Sequence, residues 1–329
     1  MALAAHIGTA DRGNGTTGLS PARSRKRRRE SLTALAFLSP WLVGFCVFFA
    51  YPLIAAVYFS FESFNMFNPP KFVGFRNWDY VLFHFSDLAT GLHNTLWLVC
   101  VMVVLQVVFG LGVALLVTKI KRGGSIFRTL FYLPYLAPPV ISTLIFVYLF
   151  DAGGPIDSVL SHIGLHSPPL WFNDPTWFKP SLTVLSLWGV GNTMIIFFAA
   201  LLDVPREHTE AAQLDGCGAV KRFRFVVLPA ISPVILFSVV TGVIFALQYY
   251  TQALVAGQVA SGQILEPGSS LAIGYPQGSS LTVSQLIYEL GIVDSNVGPA
   301  CCLSILLFLM GMVFTLVLLR RKHGFLVGE

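Results

Sequence analysis

Residues 92–118 read LHNTLWLVCVMVVLQVVFGLGVALLVT, with no Asp, Glu, Lys or Arg among them. As a helix this run reaches about 40 Å, enough to cross a hydrocarbon layer about 30 Å thick. A soluble helix sets a charged face against its apolar stripe, and this one has no charged face. It reads as a membrane span. Working outward, five more runs have the same character: Leu32–Phe61 before it, then Ile126–Phe150, Pro180–Leu202, Ala230–Ala256 and Ala300–Leu319 after it. Arg128, at the edge of the third run, is the one ionised residue within any of them. The sequence therefore predicts an all-α polytopic membrane protein with six transmembrane helices. Residues 1–31 read as a basic tail without regular structure, 32–322 as the six-span domain and 323–329 as a short C-terminal tail. Pro40, Pro52, Pro134, Pro138, Pro139 and Pro233 fall within or at the ends of spans, where membrane bundles accommodate them as kinks.

Composition agrees. The 329 residues are 55% hydrophobic and 11% charged, against about 25% charged in soluble domains, and the mean hydropathy of +0.72 excludes a soluble globular chain. The net charge of +5 does not point to nucleic acid, because the cations sit in short clusters between apolar runs. Eighteen of the 21 Lys and Arg lie before span one, between spans two and three, between four and five, or after six. The positive-inside rule then places both termini in the cytoplasm. Arg23, Arg25, Lys26, Arg27, Arg28 and Arg29, just ahead of span one, set this orientation and suit anionic lipid head groups.

The absence of intramembrane carboxylates disfavours a carrier driven by proton titration. No HExxH, GxSxG or dinucleotide-binding glycine pattern is present, and no GxxxxGK[ST] phosphate loop, so the chain reads as neither an enzyme nor an ATPase. Cys46, Cys100, Cys217, Cys301 and Cys302 have no metal-ligand spacing and read as small packing residues; no metal site is expected. What remains is the long cytoplasmic loop 203–229. Pro205 suits the first turn of a helix, Glu207 and Glu210 its positive end, Ala211, Ala212 and Leu214 its body, and Gly216 its stop. Two turns are not stable alone in water, so this helix must rest on its own bundle or on a partner.

Glu210-Ala211-Ala212 with Asp215-Gly216, followed by Val226-x-Leu228-Pro229, resembles the EAA motif of permease subunits in binding-protein-dependent ABC importers. Leu38-Ser39-Pro40, Val73-Gly74-Phe75-Arg76-Asn77-Trp78, Phe127-Arg128-Thr129-Leu130-Phe131-Tyr132-Leu133-Pro134 and Trp171-Phe172-Asn173-Asp174-Pro175 are similar to the carbohydrate branch, which includes the larger maltose permease subunit and the glycerol-phosphate permeases. Cys217 stands where Ala is common, and the loop Gly257–Gly291 lacks the common Thr-x-Gly-Gly-Pro. The resemblance implies a type I ABC importer transmembrane fold, with Glu210, Ala211, Ala212, Asp215 and Gly216 as the segment that docks on the ATPase. It implies that the chain acts with a second permease, two ATPase copies holding ATP and Mg, and an extracytoplasmic solute-binding protein. The chain itself would hold no cofactor. The solute would be a sugar or sugar-like molecule, with amino acids or phosphate esters as the alternative class and an ATP-independent carrier behind both.

A sugar site combines amides, hydroxyls and aromatic faces. Two polar runs in the spans offer these: Trp188, Asn192 and Thr193 in span four, and Gln248, Tyr249, Tyr250 and Thr251 in span five. The maltose permease resemblance implies contact roles for Gln248, Thr251 and Thr193. Hydrogen bonding between helices is the competing role for the same side chains. Gln106, His93 and Asn94 read as weaker candidates, and Gly110 and Gly112 as places where helices approach closely.

Overall fold

The computed structural model describes residues 21–164, 167–262 and 273–325. Among the described residues the chain is helical apart from loops and one small hairpin, Glu62–Ser63 antiparallel to Lys71–Phe72. Three helices are each long and apolar enough to cross a membrane: Thr33–Phe59, Asp87–Thr118 and Val297–Arg320. Three more crossings are bent pairs: Gly124–Leu136 with Pro139–Leu149 at 98°, Pro175–Trp188 with Gly191–Leu202 at 51°, and Ala219–Ala230 with Ser232–Leu247 at 69°. Counting each pair once gives the six spans expected from the sequence.

The bends have local causes. Pro138 and Pro139 remove two successive backbone donors, and Pro138 is held extended at ψ 134 by the proline after it. In span four the helix lapses at Gly189 (ψ 15), and in span five at Ile231 (ψ 3), two residues before Pro233. Span five departs further from expectation. The run Ala230–Ala256 is not one helix; it stops at Leu247 and restarts as Thr251–Ala260. The carbonyls released by this break are satisfied from the following loop, Leu247 O by Ser284 Oγ at 2.9 Å and Tyr249 O by Thr282 Oγ1 at 3.2 Å.

The ends of the chain also differ from expectation. A helix begins at Pro21 and runs to Phe45, so the basic cluster 23–29 is helical rather than irregular. Pro fits a first helical position and Arg and Lys propagate helix well. Residues 1–20 of the expected tail lie outside the described residues. At the other end the last helix extends to Phe325, and 326–329 lie outside the described residues.

Two compact units are distinguished, Met1–Ala55 and Ala56–Glu329. The described part of the first is helical throughout, with a π-helical turn at Cys46–Ala50. The second is organised around span two. Leu98, Val99, Met102 and Val103 pack with Phe146, Val147, Leu182, Leu185, Val243 and Leu247. Farther along, Val113, Ala114 and Val117 pack with Met194 and Phe197. The opposite face of span two exposes Val104, Val108 and Leu116, which suits lipid and not water. At the start of span two, Asn94 donates to Gly278 O at 2.8 Å and Leu281 O at 2.9 Å and accepts from Lys179 Nζ at 2.9 Å. One amide thereby joins spans two and four to the loop after span five.

Candidate functional site

The bends of spans three and four and the break in span five after Leu247 frame a cavity of about 350 Å³. Span three contributes Pro134, Tyr135, Ala137, Pro139 and Ser142, and span four Leu185, Ser186, Trp188, Gly189, Asn192 and Thr193. Span five and its continuation give Ser238, Thr241, Gly242, Phe245, Tyr249 and Gln252, while Val103, Gln106 and Val107 of span two close the wall. Gly191 sets the spacing between two of these walls. A Cβ there would fall on the Phe131 carbonyl oxygen and 2.6 Å from Tyr132 Cα, so only glycine lets the second half of span four start against the first half of span three.

The lining has a definite chemistry. Trp188 packs at 5.3 Å on Phe146 and is 39% exposed, leaving part of its ring open to the cavity. Ser142, Ser186 and Thr241 donate their protons to carbonyls of their own helices: Pro138 at 3.2 Å, Thr183 at 2.7 Å and Phe237 at 2.9 Å. Their oxygens keep lone pairs for another donor. Ser238 Oγ and the Tyr249 hydroxyl, both buried, have no hydrogen-bond partner among the described residues. Among the described residues no Asp, Glu, Lys, Arg or His lines the cavity, and no group of His, Cys, Asp or Glu could hold a metal ion.

Of the residues expected at a solute site, the structure brings Trp188, Asn192, Thr193 and Tyr249 together on this cavity. Gln248, Tyr250 and Thr251 are not on its wall. Gln248 is exposed, the Tyr250 ring lies 5.2 Å from that of Tyr288, and Thr251 opens the helix Thr251–Ala260. Gln106 does line the cavity, whereas Asn94 is structural. Gln252 closes the polar run that begins at Gln248, whereas Ser142, Ser186, Ser238 and Thr241 were not singled out by sequence. Their signal is faint, because isolated hydroxyls in apolar helices usually bond their own backbone. A Cβ added at Gly110 would lie 2.9 Å from Thr193 Cγ2, so that glycine does mark a close approach, whereas one added at Gly112 would meet nothing within 4 Å.

The second feature is the loop after span four. Its helix is Arg206–Leu214, one residue later than expected, with Pro205 as the cap at ψ 130. Gly216 N donates to Gln213 O at 3.0 Å and Cys217 N to Ala212 O at 2.9 Å, the paired bonds of a Schellman stop. The stop requires the left-handed φ of +76 that Gly216 adopts. Space beside Gly216 is open, so its role is conformational; a side chain there would meet no obstruction. None of the helix is buried within this chain: Glu210, Ala211 and Asp215 are exposed, Ala212 is half-buried, and Leu214 is 91% exposed.

Residues 106–320 match the family described as binding-protein-dependent transport system inner membrane component. The chain belongs to this family. It is a permease, a membrane component of ABC transport. The probable ABC transporter permease protein YesP of Bacillus subtilis (strain 168) is 30% identical over 94% of this chain and 96% of its own length. The lactose transport system permease protein LacF of Rhizobium radiobacter is 28% identical, over 82% and 86% respectively. Among solved structures, a chain of a bacterial ABC transporter involved in import of the acidic polysaccharide alginate superposes with a TM-score of 0.72 at 21% identity. The match covers 93% of this permease and 100% of that chain and shows a shared fold.

Proposed function

We propose that this permease forms part of the pathway by which a sugar or sugar-like solute enters the cytoplasm. The observation that carries the reading is the cavity where the broken spans meet, with aromatic faces, hydroxyl oxygens and amide groups on its wall. Ring faces of a sugar stack on Trp188 and Tyr135, while its hydroxyls exchange hydrogen bonds with Asn192, Gln106, Ser186 and Thr241. Relatives named for lactose and arabinooligosaccharide transport support the same class.

The energy enters elsewhere. The exposed helix Arg206–Leu214 docks on an ATPase subunit that holds ATP and Mg, Leu214 supplying apolar contact and Glu210 a charge. The working assembly contains a second permease, two ATPase copies and an extracytoplasmic solute-binding protein, and both termini of this chain are cytoplasmic. Closure of the ATPase pair moves the docking helices and turns the cavity from one side of the membrane to the other. The test is to purify the tagged permease with whatever accompanies it, reconstitute it in proteoliposomes and measure saccharide uptake. ATP-dependent uptake by the complex, with none by this chain alone, is expected. Uptake by the chain alone, following an ion gradient, would overturn the reading.

A further inference from the structure

We infer that the cavity selects uncharged saccharides and excludes uronates and sugar phosphates. This rests on the proposed role of the cavity and sharpens it, since solved neighbours and relatives serve both kinds of solute: one is named for acidic alginate, another for glycerol-3-phosphate, a third for lactose.

The first argument is charge. An anion carried from water into a bundle at membrane depth needs a cation or an equivalent set of donors, because its desolvation costs many times a hydrogen bond. Among the described residues the wall holds no Lys, Arg or His. Lys179, on the half of span four that ends at the cavity, is committed to Asn94 Oδ1 at 2.9 Å and lies 5.5 Å from the Trp97 ring centre; it is not on the cavity wall.

Helix ends are the other source of positive potential, and here they offset one another. At the bends of spans three and four a carboxyl end and an amino end meet at the same place: Leu136 with Pro139, and Trp188 with Gly191. The partial charges of such paired ends are equal and opposite. At the break in span five the carboxyl end at Leu247 is matched in the same way by the amino end at Thr251.

The second argument is hydrogen-bond polarity. Ser142, Ser186 and Thr241 have given their protons to backbone carbonyls and present only lone pairs. A hydroxyl of a neutral sugar donates to such an oxygen, whereas a carboxylate or phosphate, an acceptor only, meets repulsion there. The amides of Gln106, Asn192 and Gln252 add donors as well as acceptors to the wall. A neutral polyol engages both the lone pairs and the amides; an anion engages only the donors.

The test measures binding to the purified transporter complex by calorimetry with matched pairs. The probes are mannotetraose against tetramannuronate, and galactobiose against digalacturonate, within a wider panel of neutral and uronate mono- to tetrasaccharides. At least tenfold tighter binding of the neutral member is expected. In Ser186→Ala and Thr241→Val complexes neutral binding should weaken about two- to tenfold each. Uronate binding equal to or tighter than neutral binding would overturn the inference while leaving the carbohydrate reading standing. Neutral binding unchanged in both variants would also overturn it, by placing selection outside this cavity. Binding of no saccharide in the panel would overturn the carbohydrate reading itself.

Discussion

Replacing Gly191 by Ala puts one methyl group where the structure has no room for it. The new Cβ would overlap the Phe131 carbonyl oxygen and lie 2.6 Å from Tyr132 Cα. Ordinary carbon-to-oxygen contacts begin near 3.3 Å, so the two half-spans must separate by roughly 1 Å. The obstacle is backbone on both sides, so no rotamer change relieves it, and overpacking of this kind costs about 1–3 kcal/mol. The same two half-spans carry Tyr135 on one side of the cavity and Asn192 and Thr193 on the other. Separation therefore reshapes the cavity as well as weakening the bundle. Gly112→Ala is the matched control, a glycine of span two with nothing within 4 Å of an added Cβ. There the substitution improves helix propensity by about 0.5–1 kcal/mol. Thermal unfolding of the detergent-purified complex should move down for Gly191→Ala and up or not at all for Gly112→Ala, and ATP-dependent uptake should fall only in the first. A Gly191→Ala complex that melts with the parent would refute the close crossing on which the cavity depends.

Further outcomes follow from single residues. Tyr249→Phe removes a buried hydroxyl that has no partner among the described residues, so the solute-free complex should gain about 1 kcal/mol of stability in the same melting assay. Asn94→Leu keeps the volume but removes three hydrogen bonds, one of them to an ammonium; a loss of about 3 kcal/mol and faster proteolysis of the loop 273–282 are expected. Gly216→Ala must adopt φ +76 with a Cβ, at about 1 kcal/mol, and should lower solute-stimulated ATPase activity without changing the melting of the isolated permease. Leu214→Asp places a charge on the most exposed position of the same helix and should release the ATPase subunit in co-purification.

The spans were legible because charge is costly in lipid, and its absence over twenty or more residues is a signal that no other environment produces. The Pro138-Pro139 bend was legible as a kink for an equally local reason. The break after Leu247 was not, because its stabilising groups are Thr282 and Ser284, more than thirty positions away. A continuous helix was the natural reading of 230–256, and it grouped Gln248, Tyr250 and Thr251 with Tyr249 and Gln252; the break leaves only Tyr249 and Gln252 on the wall. Trp188, Asn192 and Thr193 were found together because an indole, an amide and a hydroxyl fall close together in one otherwise apolar span. Ser142, Ser186, Ser238 and Thr241 carried no such mark, since convergence of hydroxyls from separate spans is a property of packing. The helix Arg206–Leu214 was read nearly to the residue because its start, body and stop are encoded within itself.

The central claim is that solute passes through the cavity at the broken spans. Ser186→Cys, in a complex whose native cysteines at 46, 100, 217, 301 and 302 are replaced, gives a nearly isosteric thiol on its wall. Uptake into proteoliposomes should be retained before alkylation with a bulky maleimide, lost after it, and protected when saccharide is present during the reaction. Full uptake by a completely alkylated complex would contradict the account.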